Sequence, residues 1–251
     1  MLRILALLAL LLPSLAAAGT LDEARASGML RIGTPGDYAP YALRAPDGSY
    51  SGAEVELARG FAKSLGLRAE IVPTSWKTLA VDFAGGKFDL VVGGVSVTAD
   101  RAHDGDFSVA LSEDGKRPVV RCADKDRYTT LEAIDRPEVR VVVNLGGTNE
   151  AFAHARFFNA PIAVEMDNVS VPQRLLDESA DVFVTDGAEV DLLAKRFPGR
   201  LCAAAVPQPF THMTKAWWLS RDPALKQSAD AYLTCAKADG SWQAMLDRNM
   251  K

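Results

Sequence analysis

Short apolar runs alternate with amphipathic segments along the first part of the chain. Leu30–Gly33, Arg68–Pro73 and Asp89–Val95 are rich in apolar and β-branched residues, which predicts three strands. The segments between them, Glu54–Leu65 and Ser75–Ala84, carry apolar residues at helical spacing and are predicted to be helices. This alternation is typical of a doubly wound α/β sheet with helices on both faces.

The same alternation restarts in the second part of the chain, which predicts a second sheet. The predicted strands are Val139–Asn144, Ile162–Asp167, Asp181–Asp186 and Lys215–Leu219, and the helices are Glu150–Phe158, Val169–Glu178, Asp222–Ala238 and Ser241–Met250. We expect an α/β protein of two lobes joined by crossovers at Arg117–Cys122 and Gln208–Phe210. Lobe 1 would be discontinuous, with residues 20–116 and 212–251, and lobe 2 would comprise residues 117–211.

The N-terminus is typical of a secretory signal peptide over residues 1–18. Arg3 precedes the apolar run Ile4–Leu12, and Ala16-Ala17-Ala18 offers small residues for cleavage. An uncleaved anchor is the alternative, but the run is short for a membrane span. We expect an exported, periplasmic protein with no insertion into the membrane.

The net charge of the chain limits which kinds of molecule it is expected to bind. Without the signal segment the chain has a net charge of about −5 and no cluster of basic residues. This argues against binding to nucleic acid or to an anionic membrane surface, and it leaves a small molecule as the expected ligand. Nothing in the pattern decides between a monomer and a homo-oligomer.

Motifs for metal, nucleotide or serine-hydrolase chemistry are absent from the sequence. The three histidines are scattered, and no spacing fits a metal-ligand set, so we expect no metal and no cofactor. In an oxidising compartment two of Cys122, Cys202 and Cys235 could pair, but their spacing leaves all three pairings open.

A glycine turn between a strand and a helix is the first candidate binding site. Asn144 ends the apolar run Val141–Val143, Gly146-Gly147 follows, and Thr148 and Asn149 open the next helix. Free N–H groups at such a helix N-terminus favour small anions. Many α/β proteins, however, have a glycine at this place for packing alone.

A second candidate site follows the third strand, where Ser96, Thr98 and Arg101 combine hydroxyl groups with a guanidinium that suits a carboxylate. The alternative is a surface arginine near a capped helix. Tyr38, next to Asp37, and Trp76 end other strands and could enclose a ring, although packing between the lobes is the simpler explanation for each of them.

Asp186 and Glu189 form the most informative pair. Asp186 ends an apolar strand, and Glu189 follows three residues later, on the same face of the next helix. Two acids at a helix N-terminus could simply satisfy the helix dipole. Alternatively, burial and a like-charged neighbour could raise the pKa of Glu189 and make it a general acid. Helix N–H groups oppose that rise, so the pattern leaves the sign of the net shift open.

Taken together, these segments resemble the type II periplasmic solute-binding fold of receptors for polar amino acids. More closely they resemble the cyclohexadienyl dehydratases, enzymes on that fold that convert prephenate or arogenate to phenylpyruvate or phenylalanine. The run S-V-T-A-D-R (96–101) resembles the α-carboxylate clamp of the receptors. The runs that match the dehydratases are T-P-G-D-Y-A-P-Y (34–41), V-P-T-S-W (72–76), V-N-L-G-G-T-N-E (143–150), D-N-V (167–169), T-D-G-A-E (185–189) and P-Q-P-F (207–210).

The resemblance implies roles for several residues. It makes Glu189 the catalytic acid, Ser96 and Arg101 carboxylate ligands, and Asp186 the partner of a substrate amine. It also pairs Cys122 with Cys202 in a disulfide. The implied substrate-binding set is Asp37, Tyr38, Trp76, Ser96, Thr98, Arg101, Asn144, Thr148, Asn149 and Asp186.

The predicted function is decarboxylative dehydration in which protonated Glu189 gives its proton to the departing ring hydroxyl. Arg101 would hold the side-chain carboxylate, because a strong ion pair on the ring carboxylate would resist decarboxylation. The alternative function is a transport receptor that binds an amino acid unchanged. A receptor would use Asp186 but has no need for a second acid at Glu189.

Overall fold

The computed structural model describes residues 20–250, so the predicted signal peptide lies outside the described part. Up to the first crossover the elements are α1 (Thr20–Ser27), β1 (Met29–Thr34), β2 (Asp37–Tyr38), β3 (Ala42–Arg44), β4 (Tyr50–Ser51), α2 (Ala53–Ser64), β5 (Arg68–Pro73), α3 (Leu79–Ala84), β6 (Leu90–Val91), α4 (Ala99–Asp104), β7 (Asp106–Phe107) and β8 (Ser112–Asp114).

The second part contains β9 (Lys116–Arg121), a 3-10 helix (Cys122–Asp124), α5 (Leu131–Ile134), β10 (Val141–Asn144), α6 (Thr148–Arg156), β11 (Ile162–Glu165), α7 (Val171–Leu176), β12 (Val182–Asp186), α8 (Gly187–Arg196) and β13 (Leu201–Ala203). The chain then returns through β14 (Met213–Lys215), β15 (Trp218–Leu219), α9 (Pro223–Ala238) and α10 (Ser241–Asn249).

Two five-stranded sheets confirm the predicted two-lobed α/β architecture. The first has the order β5-β1-β6-β15-β7, and the second has the order β11-β10-β12-β9-β13. In each sheet three parallel strands are followed by a fourth that runs antiparallel to them, and the fifth strand pairs antiparallel with the fourth. The small β8–β14 pair lies on the connections between the sheets, and β2, β3 and β4 form a further small sheet in the first lobe.

Alternate residues of β10 explain why the second sheet is covered on both faces. Val141 and Val143 pack with Phe152 of α6 on one face. Val142 points to the other face, where it packs with Leu175 of α7 and Val190 of α8. Because side chains alternate along a strand, an uninterrupted valine run can supply two hydrophobic cores at once.

The third predicted strand of the first lobe is shorter than expected. It ends at Val91, because Gly93 and Gly94 adopt φ angles of 115° and 74° and turn the chain. Their N–H groups donate to the buried carboxylate of Glu54, at 2.7 Å and 3.0 Å. This turn directs the following segment toward Ser96.

Three further predictions need correction. The helix expected from Ser75 begins at Leu79, so Trp76 lies in the preceding loop. Arg117–Cys122, expected as a crossover, lies mostly within strand β9. Lys215–Leu219 forms two short strands, because the chain leaves β8 at Lys215 and joins β6 at Trp218.

A disulfide joins Cys122 to Cys202 across 80 residues, as the resemblance implied. It links the start of the 3-10 helix that follows β9 to strand β13 of the second sheet. Cys235 is exposed and free. Among residues 20–250, no helix combines the length and apolar character that a membrane crossing requires.

Candidate active site

A cavity lies where the carboxyl ends of strands from both sheets meet. Most of the residues predicted to bind substrate line it, as expected for ligand sites in open α/β sheets. The lining residues are Tyr38, Trp76, Gly94, Ser96, Arg101, Asn144, Gly147, Thr148, Asn149, Asn168, Asp186 and Lys215.

Gly146 lets the two lobes approach each other beside this cavity. A Cβ at this position would lie 2.4 Å from the backbone of Lys77 in the first lobe. Its φ of 84° also lies in the region that favours glycine. The turn therefore brings Gly147 and Thr148, at the N-terminus of α6, against the loop that carries Trp76.

Asp186 lies at the centre of a buried ion network. Lys116 donates to its Oδ1 at 2.8 Å, and Lys215 donates to its Oδ2 at 2.5 Å. The hydroxyl of Tyr38 also donates to Oδ2, at 2.6 Å. Lys116 lies opposite Asp186 in the antiparallel β9–β12 pair, so the register of that pair creates one of the two ion pairs.

Burial alone would raise the pKa of Asp186, but the positive charges of Lys215 and Lys116 outweigh it and lower the pKa below the usual range. Burial lowers the pKa of Lys116, and the charge of Asp186 opposes that change. Asp186 is therefore a carboxylate whose charge is balanced by groups of the chain itself.

The start of α8 is capped from outside the helix. Asp114 accepts hydrogen bonds from the backbone N–H groups of Gly187 and Ala188, at 2.8 Å and 3.1 Å. Asp186 makes no side-chain capping bond, although it is the N-cap residue. The two acids of the predicted pair are thus free for other contacts, and helix capping does not explain Asp186.

Glu189 is buried, with 4 % of its surface exposed. Thr185 donates to its Oε2 at 2.5 Å, and the side-chain amide of Asn168 donates to its Oε1. Burial raises the pKa of Glu189 to about 8; hydrogen bonds from Thr185 and Asn168 oppose the rise, and the charges of Asp186 and Asp37 add to it. The carboxyl group is therefore mostly protonated at neutral pH.

Glu189 does not line the central cavity. It lines a second cavity, and Asn168 borders both. The amide oxygen of Asn168 is buried and has no hydrogen-bond partner. Asn168 therefore separates the acid from the space where a ligand would bind.

Arg101 has no carboxylate partner among the described residues. One of its N–H groups donates to the backbone oxygen of Ser96 at 2.9 Å, and the guanidinium lies 5.9 Å from the ring centre of Trp76. Burial lowers the pKa of Arg101 to about 10, which leaves it positively charged at neutral pH. A partly buried cation that faces a cavity in this way is suited to an anionic group.

The aromatic side chains form one side of the cavity. The rings of Tyr38 and Trp76 meet edge to face, with centres 5.9 Å apart. Asp37 does not line the cavity; it accepts hydrogen bonds from the indole N–H of Trp76 and the backbone N–H of Asn168, at 2.8 Å and 3.1 Å. Burial raises the pKa of Asp37 despite these bonds.

Thr98 also lies outside the cavity lining. It is the N-cap of α4, where its hydroxyl accepts a hydrogen bond from the backbone N–H of Arg101 at 3.3 Å. Within residues 20–250, no group of three or more His, Cys, Asp or Glu side chains is placed to hold a metal ion.

The family model of the bacterial extracellular solute-binding proteins, family 3, matches residues 30–251 of this chain. The chain belongs to this family.

Among curated relatives of this family 3 protein, the cyclohexadienyl dehydratase of Pseudomonas aeruginosa is 42 % identical over 220 residues, which cover 88 % of this chain and 82 % of the relative. The L-cystine-binding protein TcyJ of Escherichia coli K12 is 27 % identical over 72 % of this chain and 68 % of the relative.

Among solved structures, an ancestral amino acid-binding protein described as a precursor of cyclohexadienyl dehydratase has a TM-score of 0.83 at 30 % identity, over 93 % of this chain and 100 % of that one. An ancestral cyclohexadienyl dehydratase has a TM-score of 0.58 at 41 % identity, over 93 % and 97 % of the two chains.

Four residues of the family 3 protein's site were missed in the sequence. They are Lys116, Asn168, Thr185 and Lys215, which all contact Asp186 or Glu189. The runs D-N-V and T-D-G-A-E contained a signal for Asn168 and Thr185, since each lies inside a matching segment. The lysines had no local signal, because their contacts depend on strand pairing and on the return of the chain.

Proposed function

We propose that this protein is an exported, periplasmic carbon–oxygen lyase, a cyclohexadienyl dehydratase that converts prephenate to phenylpyruvate and arogenate to phenylalanine. The observation that carries the proposal is the buried, mostly protonated carboxyl group of Glu189 beside the cavity. The relative from Pseudomonas aeruginosa supports the same assignment. A general acid at neutral pH requires a carboxyl group that keeps its proton, and burial of Glu189 provides one.

In the proposed reaction the C–O bond to the ring hydroxyl breaks as Glu189 transfers its proton to the departing oxygen, which leaves as water. The bond between the ring and its carboxylate also breaks, and its electron pair completes the aromatic ring while carbon dioxide leaves. One proton is consumed per turnover, so Glu189 is protonated again from solvent before the next substrate reacts.

The cavity supplies the positioning groups. Arg101 holds the side-chain carboxylate of the substrate, and Ser96, Asn144, Thr148 and Asn149 orient it. Tyr38 and Trp76 enclose the ring. Closure of lobe 1 (20–116 and 212–251) on lobe 2 (117–211) excludes water from the site.

Asn168 has to move, or be replaced by substrate, for the proton to reach the ring hydroxyl directly. Its side chain contacts Glu189 and borders both cavities. We propose that the substrate displaces the Asn168 amide, which now donates to Glu189, and that the ring hydroxyl oxygen then accepts a hydrogen bond from protonated Glu189. Thr185 would keep the carboxyl group oriented during this exchange.

A second candidate function is a receptor that binds an amino acid without changing it. The likeness to the L-cystine-binding protein favours it. Two arguments count against the receptor function. Asp186, the acid that would hold an amine, already binds two lysines and a tyrosine, and Glu189 would have no role.

Steady-state kinetics with purified protein and prephenate test the proposal, with phenylpyruvate as the measured product. For Glu189→Gln we expect kcat to fall by about 10²–10⁴-fold, because the amide cannot transfer a proton. KM should change little. Glu178→Gln provides a matched control, since Glu178 lies on the exposed loop after α7. Wild-type protein without dehydratase activity, or a Glu189→Gln variant with full activity, would refute the proposal.

A further inference from the structure

Resting on the proposed function, we infer that the site selects the 2-oxo substrate over its 2-amino counterpart, prephenate over arogenate, and that Lys215 is the residue that determines this specificity. Both substrates carry two carboxylates. They differ in the group next to the side-chain carboxylate, which is a neutral oxo group in one and an ammonium in the other.

An ammonium would find no free carboxylate in the cavity. Asp186 is the sole carboxylate among the lining residues that the structure describes. Both of its oxygens are occupied, Oδ1 by Lys116 and Oδ2 by Lys215 and the hydroxyl of Tyr38. To bind an amine, Asp186 would have to share an oxygen that already accepts a hydrogen bond from a buried lysine, and the charge of that lysine would repel the ammonium at close range.

An oxo group, in contrast, would find a donor. The ammonium of Lys215 has three N–H groups. Two of them are accounted for by Ser96 Oγ at 2.8 Å and by Asp186, while Lys215 also lines the cavity. The third N–H group suits a carbonyl oxygen, and the positive charge of Lys215 repels an ammonium.

The position of Ser96 places this donor next to the expected carboxylate site. Arg101 donates to the backbone oxygen of Ser96, and Lys215 donates to its hydroxyl. The two cations therefore flank the same residue. A carboxylate bound by Arg101 would carry its neighbouring carbon, with the oxo or amino group, toward Lys215.

The charge balance leads to the same conclusion. Arg101, Lys116 and Lys215 are positive and Asp186 is negative, which leaves an excess of two positive charges around the cavity. The mostly protonated Glu189 adds little negative charge. Prephenate, with two negative charges, matches this excess, whereas the ammonium of arogenate leaves one positive charge uncompensated in a buried site.

Specificity can be measured as the ratio of kcat/KM for prephenate to that for arogenate. We expect a ratio of at least tenfold in the wild-type protein. In Lys215→Met the ratio should fall at least tenfold, because the oxo group loses its donor and Asp186 loses a competing cation. Lys63→Met, a change of an exposed lysine on α2, should leave the ratio unchanged. Equal use of both substrates by the wild-type protein, or an unchanged ratio in folded Lys215→Met, overturns the inference.

Titration calorimetry of the wild-type protein with the two products gives a test that needs neither turnover nor a stable variant. Phenylpyruvate should bind at least tenfold more tightly than phenylalanine, and equal or reversed affinities overturn the inference. If phenylpyruvate binds preferentially but neither substrate is converted, the proposed dehydratase activity is wrong, whereas the inferred selectivity is supported.

Discussion

Asp186 and Glu189 lie three residues apart at the start of one helix, and both are almost completely buried. The pKa of Asp186 lies below its usual range, whereas the pKa of Glu189 rises to about 8. The difference comes from their neighbours. Asp186 faces two ammonium groups, while Glu189 has only the neutral donors Thr185 and Asn168. Burial therefore removes the charge of Glu189, whereas at Asp186 the two lysines outweigh burial and keep the carboxylate ionised.

The largest expected contrast is in stability. Asp186→Asn leaves two buried ammonium groups without their carboxylate, so we expect the free energy of unfolding to fall by about 3–5 kcal/mol at pH 7. Glu189→Gln replaces a mostly neutral carboxyl group with a neutral amide, to which the unpartnered amide oxygen of Asn168 can bind. Below about pH 4, where the unfolded chain also holds this proton, its cost should stay within about 1 kcal/mol. At pH 7 the variant should be at least as stable as the wild type, because it avoids the proton uptake that folding imposes on Glu189. Urea unfolding of both variants measures the contrast, and equal losses would contradict our account of the two acids.

The pH dependence of stability separates the two acids further. Between the unfolded pKa of a glutamate, about 4.3, and the folded value for Glu189, the folded protein holds a proton that the unfolded chain has released. Stability should therefore fall as pH rises through this range, by up to about 1.4 kcal/mol per pH unit from this group. Asp186 has the opposite sign, and its contribution is lost only as pH falls below about 4.

Urea unfolding of the wild type and Glu189→Gln at several pH values between 5 and 8 measures this effect. Burial also raises the pKa of Glu54, to about 7, and Glu54 contributes the same sign in both proteins. The difference between the two curves therefore reports on Glu189. Parallel curves would mean that Glu189 is already ionised in the folded protein at neutral pH.

The smallest expected effect concerns the hydrogen bond from Thr185. In the wild type, kcat should fall as pH rises through about 8, because Glu189 loses its proton. Thr185→Val removes a donor that favours the carboxylate, so the pKa of Glu189 rises further and the alkaline limb of kcat moves to higher pH. The loss of this buried bond should lower the free energy of unfolding by about 1 kcal/mol. Thr129→Val is a control outside the site, and a shift to lower pH in Thr185→Val would contradict the assignment.

Much of the fold followed from local patterns. The valine run of β10 and the apolar run of β12 predicted buried parallel strands, and the structure has both within two residues of the expected ends. Predictions failed where a distant group controls the local backbone. The strand expected to reach Val95 stops at Val91, because Glu54 of α2 binds the N–H groups of Gly93 and Gly94. Nothing near these glycines in the sequence identifies that partner.

The residues of the candidate site show the same contrast between what local patterns predicted and what distant contacts determine. Residues at strand ends, such as Tyr38, Trp76 and Arg101, were identified because strand ends of a parallel sheet meet at one edge. Thr98 and Asp37 lie at such ends too, but they support the helix cap of α4 and the indole of Trp76. Position along a strand thus brought these residues near the cavity without deciding which side chains face it.

Local patterns along the chain were enough to predict two α/β lobes, the strand ends that meet at the cavity, and two acids at the start of α8. The charge state of each acid depends on residues that are distant in the sequence. Lys116 reaches Asp186 through the register of two antiparallel strands, and Lys215 reaches it after the chain returns to the first lobe. The charge of a buried acid depends on groups within a few ångströms in space, and a linear pattern does not specify those neighbours.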